Sequence, residues 1–216
     1  MLELYGHLFS SYTWKARIAL FANETPHEFR TVREGDAANE AFVEQAHPAG
    51  KFPVLRDGDT SVVEATSIIE YLALHHPGAA PLIPADPAEA AQARMVDRVF
   101  DHYVMGSMQR VVNAYIANGE NPDPVEVDGG RQALLRAYAW LERWLEANTL
   151  PAHVSLVSCA AAPSLFYADW VEPIPDKAPR LAALRAELLA LPAVARCVDD
   201  ARPYRPYFPP GAPDRD

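Results

Sequence analysis

The sequence predicts two unlike folding units in one chain: an α/β module in the order β-α-β-(α)-β-β-α, then an all-helical domain. Three observations carry this. Alternating apolar residues, the mark of short strands, are confined to residues 1–77. The stretch from Pro77 to Ala88 holds four prolines in twelve positions, which reads as a linker over residues 78–88. From residue 89 to 216 the apolar residues recur at helical spacing.

Leu2-Glu3-Leu4-Tyr5 alternates and is the first strand. Ser11 to Asn23 carries Trp14, Ile18, Ala19 and Ala22 at helical spacing. Phe29 to Val32 alternates again after Pro26, and a short acidic helix spans Ala38 to Gln45. Pro53 to Arg56 and Ser61 to Val63 flank Asp57-Gly58-Asp59, a hairpin signal that makes this pair antiparallel. The helix between the first two strands makes those two parallel. Ser67 to His75 is a helix apolar at Ile68, Ile69, Tyr71 and Leu72.

The linker ends in Asp86-Pro87-Ala88-Glu89, a capping acid, a proline at the first helical position and a Glu three after the cap. Apolar residues from Met95 to Ile116 then follow a 3.6 period, and Asn118 to Asp128 reads as a loop. Leu134 to Leu145 defines a second long helix, with Trp140 and Trp144 as core or dimer-packing residues. Ser155 to Trp170 is almost uncharged and reads as a buried central helix. Leu181 to Leu189 gives a further helix, and Pro192 opens a short last one. Five prolines between Pro203 and Pro213 exclude regular structure there.

Composition excludes several classes. The 19 basic and 29 acidic residues give a charge of −10, the opposite of a nucleic-acid footprint. Apolar runs are short, and the first residues have no basic, apolar leader, so a cytoplasmic location is expected. The two cysteines, Cys159 and Cys197, form no CxxC motif, and no metal-ligand spacing occurs.

The junction between the first strand and its helix is the chemically suggestive point. Unpaired backbone N–H groups and the helix dipole favour negative charge there. Ser10 and Ser11 sit at this junction. One hydroxyl could cap the helix and the other donate to an anion, or both could be ordinary caps. No cysteine stands there, so thiol–disulfide exchange has no nucleophile.

Four local signatures in order resemble the cytosolic glutathione transferases. They are Ser10-Ser11-Tyr12-Thr13-Trp14-Lys15-Ala16-Arg17-Ile18-Ala19-Leu20, Gly50-Lys51-Phe52-Pro53-Val54-Leu55, Glu64-Ala65-Thr66-Ser67-Ile68-Ile69-Glu70-Tyr71-Leu72, and Ser155-Leu156-Val157-Ser158. The first is similar to the serine-type zeta and theta classes and suggests a bacterial protein. The resemblance implies a thioredoxin-like N-terminal domain, a helical C-terminal domain and a homodimer, with glutathione as co-substrate and a small electrophile as substrate, in a detoxification role.

It also assigns residues. Ser10 would hold the glutathione thiolate, with Ser11 and Tyr12 as second candidates; Tyr12 could equally be an interface ring. Pro53 would be cis, turning the backbone of Phe52 toward the cysteinyl part, with Lys51 on the glycyl carboxylate. Glu64 would take the γ-glutamyl ammonium and the following helix N-terminus the γ-glutamyl carboxylate. Here the family's Ser or Thr is replaced by Ala65, with Thr66 as a possible substitute donor. Ser158 stands where the family's capping box has Asp. The electrophile pocket is expected near Leu8, Phe9, Tyr103, Met108, Phe166 and Trp170. Two alternatives stand beside the transferase: a glutathione-dependent isomerase of the maleylacetoacetate type, with Arg110 as a candidate anion-binding residue, and a non-catalytic binding protein on the same fold.

Overall fold

The computed structural model describes residues 1–33 and 35–216. A four-stranded sheet in the order β2-β1-β3-β4 forms the N-terminal layer. Its strands are β1 (Leu2–Gly6), β2 (His27–Thr31), β3 (Val54–Asp57) and β4 (Thr60–Val63). β1 runs parallel to β2 with Leu4 opposite Phe29, and antiparallel to β3 with Leu4 opposite Leu55. The Gly58 turn, at φ 60°, closes the antiparallel β3–β4 hairpin. Helices α1 (Ser11–Ala22), α2 (Ala37–Ala46) and α3 (Ala65–His75) complete this unit.

The helical part comprises α4 (Pro87–Val99), α5 (Gly106–Asn118), α6 (Pro124–Trp144), α7 (Leu156–Val171), α8 (Pro179–Leu189) and α9 (Pro192–Ala201). Asp86 caps α4 by accepting from the N–H groups of Ala88 and Glu89, both at 2.9 Å. Helix α7 is buried along its whole length, as its uncharged sequence predicts. Its box closes without a carboxylate: the Ser155 N–H donates to Ser158 Oγ at 2.6 Å. Leu4, Trp14, Leu20 and Ile68 share one apolar core with Phe100, Tyr138 and Phe166, so α1 and α3 lie directly against the helical domain.

Three expectations are corrected. Residues 118–128 are not all loop, because α6 begins at Pro124 behind an Asp123 cap. The Gly129–Gly130 pair inside α6 is a packing device. A Cβ on Gly130 would stand 2.5 Å from Val111 Cγ2 and 2.9 Å from the Ser107 carbonyl oxygen, so the glycine lets α6 close on α5. Gly130→Ala is therefore expected to destabilise the fold by about 1 kcal/mol or more, overpacking outweighing the helix propensity gained. Urea unfolding of the variant checks this.

The second correction lies between α4 and α5, where Phe100–Met105 forms a π-helical segment. Buried residues there recur at every fourth position, at Val96, Phe100, Val104 and Met108. Each such step overshoots an α-helical turn by about 40°. Wider π turns absorb the drift and keep the stripe facing the core. The third is the proline-rich end, which holds a 3-10 helix over Arg202–Tyr207. A fixed φ near −65° suits that conformation, so prolines block an α-helix there but not a 3-10 turn.

Candidate functional site

The loop from β1 to α1 is pinned from several sides. Gly6 lets the strand end pass α1, since a Cβ there would lie 2.5 Å from Thr13 Cγ2. The Phe9 N–H donates to His7 Nδ1 at 3.1 Å, and the buried Trp14 indole donates to the Leu8 carbonyl at 2.7 Å. Ser10 is the N-cap: its Oγ accepts from the Thr13 N–H at 3.2 Å. A hydroxyl that accepts still has its own proton to donate. Ser11 follows as the first helical residue and is buried.

A cavity of about 520 Å³ opens at this junction. One side is Ser10, Ser11 and Tyr12 from α1 with Lys51 and Phe52 from the loop before β3. The Phe52–Pro53 peptide is cis. Arg33 joins this side, its guanidinium 5.5 Å from the centre of the Phe52 ring. The facing wall is α5, with Met108, Gln109, Val112, Asn113 and Ile116. Phe9, Tyr167 and Phe208 make the apolar end. Among the described lining residues there is no carboxylate, although the chain carries a charge of −10.

Tyr12 lines the cavity and also packs against the core. Burial, reinforced by the Asp101 and Glu64 carboxylates, pushes its hydroxyl up to about 12. It stays protonated at neutral pH and so has a proton to donate there.

The start of α3 does not line this cavity: Glu64, Ala65 and Thr66 lie outside its lining. The N-cap of α3, Glu64, sits at φ 69° with its side chain largely exposed. His47 stands 3.5 Å from the Glu64 carboxylate, and its Nδ1 accepts from the Ala49 N–H at 3.0 Å. Ala65 is buried. Thr66 does not stand in for the missing hydroxyl. Its Oγ1 donates to Asp97 Oδ2 at 3.0 Å and accepts from Lys15 Nζ at 2.8 Å, so its proton is committed to the domain interface. Lys15 also pairs with Asp97 and Asp101, making a buried cluster under the site that sequence reasoning missed.

Of the six residues expected in the electrophile pocket, Phe9 and Met108 line the cavity. Phe166 and Trp170 are core residues, with ring centres 4.6 Å apart. Leu8 serves through its carbonyl. Tyr103 points outward at 62% exposure because it lies in the π segment, off the buried stripe. Arg110 is outside the cavity, held by Glu126 through bonds of 2.6 and 2.9 Å. Sequence reasoning also missed His7, Arg33, Gln109 and Asn113, and the wall supplied by Tyr207, Phe208 and Pro209. The α5 residues had a signal: 108, 112 and 116 lie on one helical face, with 109 and 113 beside it.

Comparison with known proteins bears on this geometry. Residues 4–80 match the family model described as glutathione S-transferase, N-terminal domain. The chain is 28% identical over 211 residues to a Vibrio cholerae protein named probable maleylacetoacetate isomerase, covering 94% of this chain and 97% of that one. A glutathione S-transferase from Methylobacterium radiotolerans, solved with glutathione sulfonate, is 27% identical with a TM-score of 0.76, covering 91% of this chain and 94% of that chain. A glutathione transferase family member from Pseudomonas fluorescens, with bound glutathione, is 25% identical with a TM-score of 0.79, covering 91% and 98%.

Proposed function

We propose that the chain is a member of the glutathione S-transferase family, whose N-terminal domain model matches residues 4–80, and that it binds glutathione and uses its thiolate to attack a small electrophile in the cavity above α1. The observation that supports this most is the meeting, in one cavity, of the capped α1 N-terminus at Ser10 with the cis-proline segment of Lys51 and Phe52.

In this reading the Ser10 hydroxyl donates to the thiolate while the α1 N-terminus adds its dipole. A free thiol near pKa 8.5 is mostly protonated at neutral pH, and lowering it by two units takes about 2.7 kcal/mol. One charge-assisted hydrogen bond supplies about 1.5–3 kcal/mol, so a single well-placed hydroxyl nearly suffices. The Phe52 backbone takes the cysteinyl part and Lys51 the glycyl carboxylate. Glu64 takes the γ-glutamyl ammonium, and the N–H groups opening α3 take its carboxylate. The protein is proposed to be cytoplasmic and homodimeric, with the exposed Leu74 of α3 and Met95 of α4 on the pairing face. Among the described residues no helix is long and apolar enough to cross a membrane.

Calorimetric titration with reduced glutathione tests the reading. Saturable binding at or below millimolar is expected, weakened in Glu64→Ala. Ala65→Ser restores a donor at the first position of α3 and is expected to tighten binding about tenfold. Silence in titration and in thermal shift at several millimolar overturns the enzyme reading and leaves a non-catalytic binding protein.

The Vibrio cholerae relative, matched over nearly its whole length, favours a second reading as a glutathione-dependent isomerase. With Arg110 occupied by Glu126 and Lys51 assigned to glutathione, Arg33 is the cation among the described lining residues left for an acidic substrate. An isomerase regenerates glutathione and a transferase consumes it, so counting free thiol during turnover separates them.

A further inference from the structure

We propose that His47 is a positioning residue that aims the Glu64 carboxylate at the γ-glutamyl ammonium of glutathione. The inference rests on the glutathione reading above and adds to it a residue outside the cavity lining. Glu64 is an unusual N-cap. Asp36, Asp86 and Asp123 each accept from the first backbone N–H groups of the helix they open, whereas Glu64 makes no side-chain cap bond. Its φ of 69° lies in the left-handed region, rare for a residue with a long side chain, and that side chain is 71% exposed. A carboxylate so placed samples several rotamers unless a neighbour holds it. The Arg98 guanidinium feels the Glu64 charge but is already bonded to Thr66, Asp97 and Asp101. His47 is the side chain that lies at ion-pair distance, with Nε2 3.5 Å from Glu64 Oε1.

His47 is itself held still. Its backbone N–H donates to the Val43 carbonyl at 2.9 Å, and its carbonyl accepts from the Gly50 N–H at 2.9 Å. Its Nδ1 accepts from the Ala49 N–H at 3.0 Å, and the side chain is 8% exposed. An Nδ1 that accepts leaves the ring proton on Nε2, the atom that faces Glu64. A movement of about 0.5 Å turns that approach into a hydrogen bond. With Oε1 held, Oε2 is left for the ammonium. The same turn runs on to Lys51 and Phe52, so one fixed ring ties the groups proposed for the two ends of glutathione to each other.

The test is calorimetry on the full-length protein with two probes, reduced glutathione and glutaryl-cysteinylglycine, which is glutathione without its amino group. The variant is His47→Asn. An Asn side-chain oxygen still accepts from the N–H two residues on and keeps the turn, but it is too short to reach Glu64. His47→Asn is expected to bind glutathione about threefold to tenfold more weakly, the cost of immobilising one long side chain, and to bind the analogue as the wild type does. In a Glu64→Ala background the same substitution is expected to add nothing, and this double variant decides where the analogue binds too weakly to titrate. General damage to the turn would displace Lys51 and Phe52 and weaken both probes alike. Equal weakening of both probes, no weakening of either, or an undiminished effect in Glu64→Ala overturns the proposal and leaves the glutathione reading standing. Absence of glutathione binding by the wild type removes both.

Discussion

Lys15→Met is expected to destabilise the protein by about 3–5 kcal/mol, because it strands buried carboxylates without their cation. Lys15 is 1% exposed, and its ammonium lies 2.8 Å from Asp101 Oδ2 and in contact with Asp97 Oδ1. Asp97 has no exposed surface. The remaining cation, Arg98, reaches both carboxylates but is itself 42% exposed and shares its charge with solvent. Even in the wild type, burial pushes the Asp101 carboxyl up against the pull of Lys15. Removing Lys15 pushes it further.

The pH dependence carries the sign. A carboxyl whose folded pKa is raised favours the folded state below its unfolded value, and that advantage is lost as pH rises. The deficit of Lys15→Met is therefore largest near neutrality and shrinks toward the unfolded carboxylate value of about 3.9. Urea unfolding near neutrality and at about pH 5 should show this narrowing. The double variant Lys15→Met/Asp97→Leu should recover much of the loss, since an apolar replacement of a buried pair is often neutral. A single variant within about 0.5 kcal/mol of wild type would mean that the cluster is held by Arg98 and solvent alone.

The same cluster shows where sequence reading stops. Asp86-Pro87 announces α4 because capping is local chemistry, written in adjacent residues. Asp123-Pro124 carries the same signal but lies within the stretch read as loop, and the close approach of α5 that needs Gly130 is a tertiary fact. Lys15 looks like a surface residue of a motif until Asp97 and Asp101 are folded against it. The parallel β1–β2 pair, the β3–β4 hairpin and the buried α7 are legible since they follow from the crossover helix, the turn residues and the uncharged run, whereas the β1–β3 pairing is not.

At the site the division is similar. Ser10 is noticed from a strand-to-helix junction, and Lys51 and Phe52 only because their proline segment resembles the family's; all three line the cavity. Phe166 and Trp170 are misplaced because an aromatic stripe serves a core as well as a pocket; here it packs the core. Arg33 and Asn113 stand on a loop and on an exposed helix face, where no apolar pattern marks them. The C-terminal wall is hidden by its composition. Arg205 holds it by stacking 5.0 Å from the centre of the Trp170 ring and by pairing with Asp216 at 3.0 Å.

Ser10→Ala is expected to raise the thiol pKa of bound glutathione by about one to two units, through loss of one charge-assisted hydrogen bond. Near neutrality that lowers the thiolate fraction, and with it kcat/KM, about tenfold to thirtyfold. The deficit shrinks as pH rises toward the free thiol value of about 8.5, where the variant no longer needs the donor. The substitution also removes the α1 cap, which costs about 1 kcal/mol of stability, so alanine alone does not separate the two roles. Ser10→Asp does. Aspartate caps a helix as well as serine, so stability should hold, while its charge faces the thiolate and should abolish ionisation. Thiolate absorbance of the bound complex against pH, read beside a thermal melt, gives both quantities from the same variants. If Ser10→Asp keeps the thiolate and Ser11→Ala loses it, the donor is Ser11, and Ser10 is only the cap that holds α1 in place.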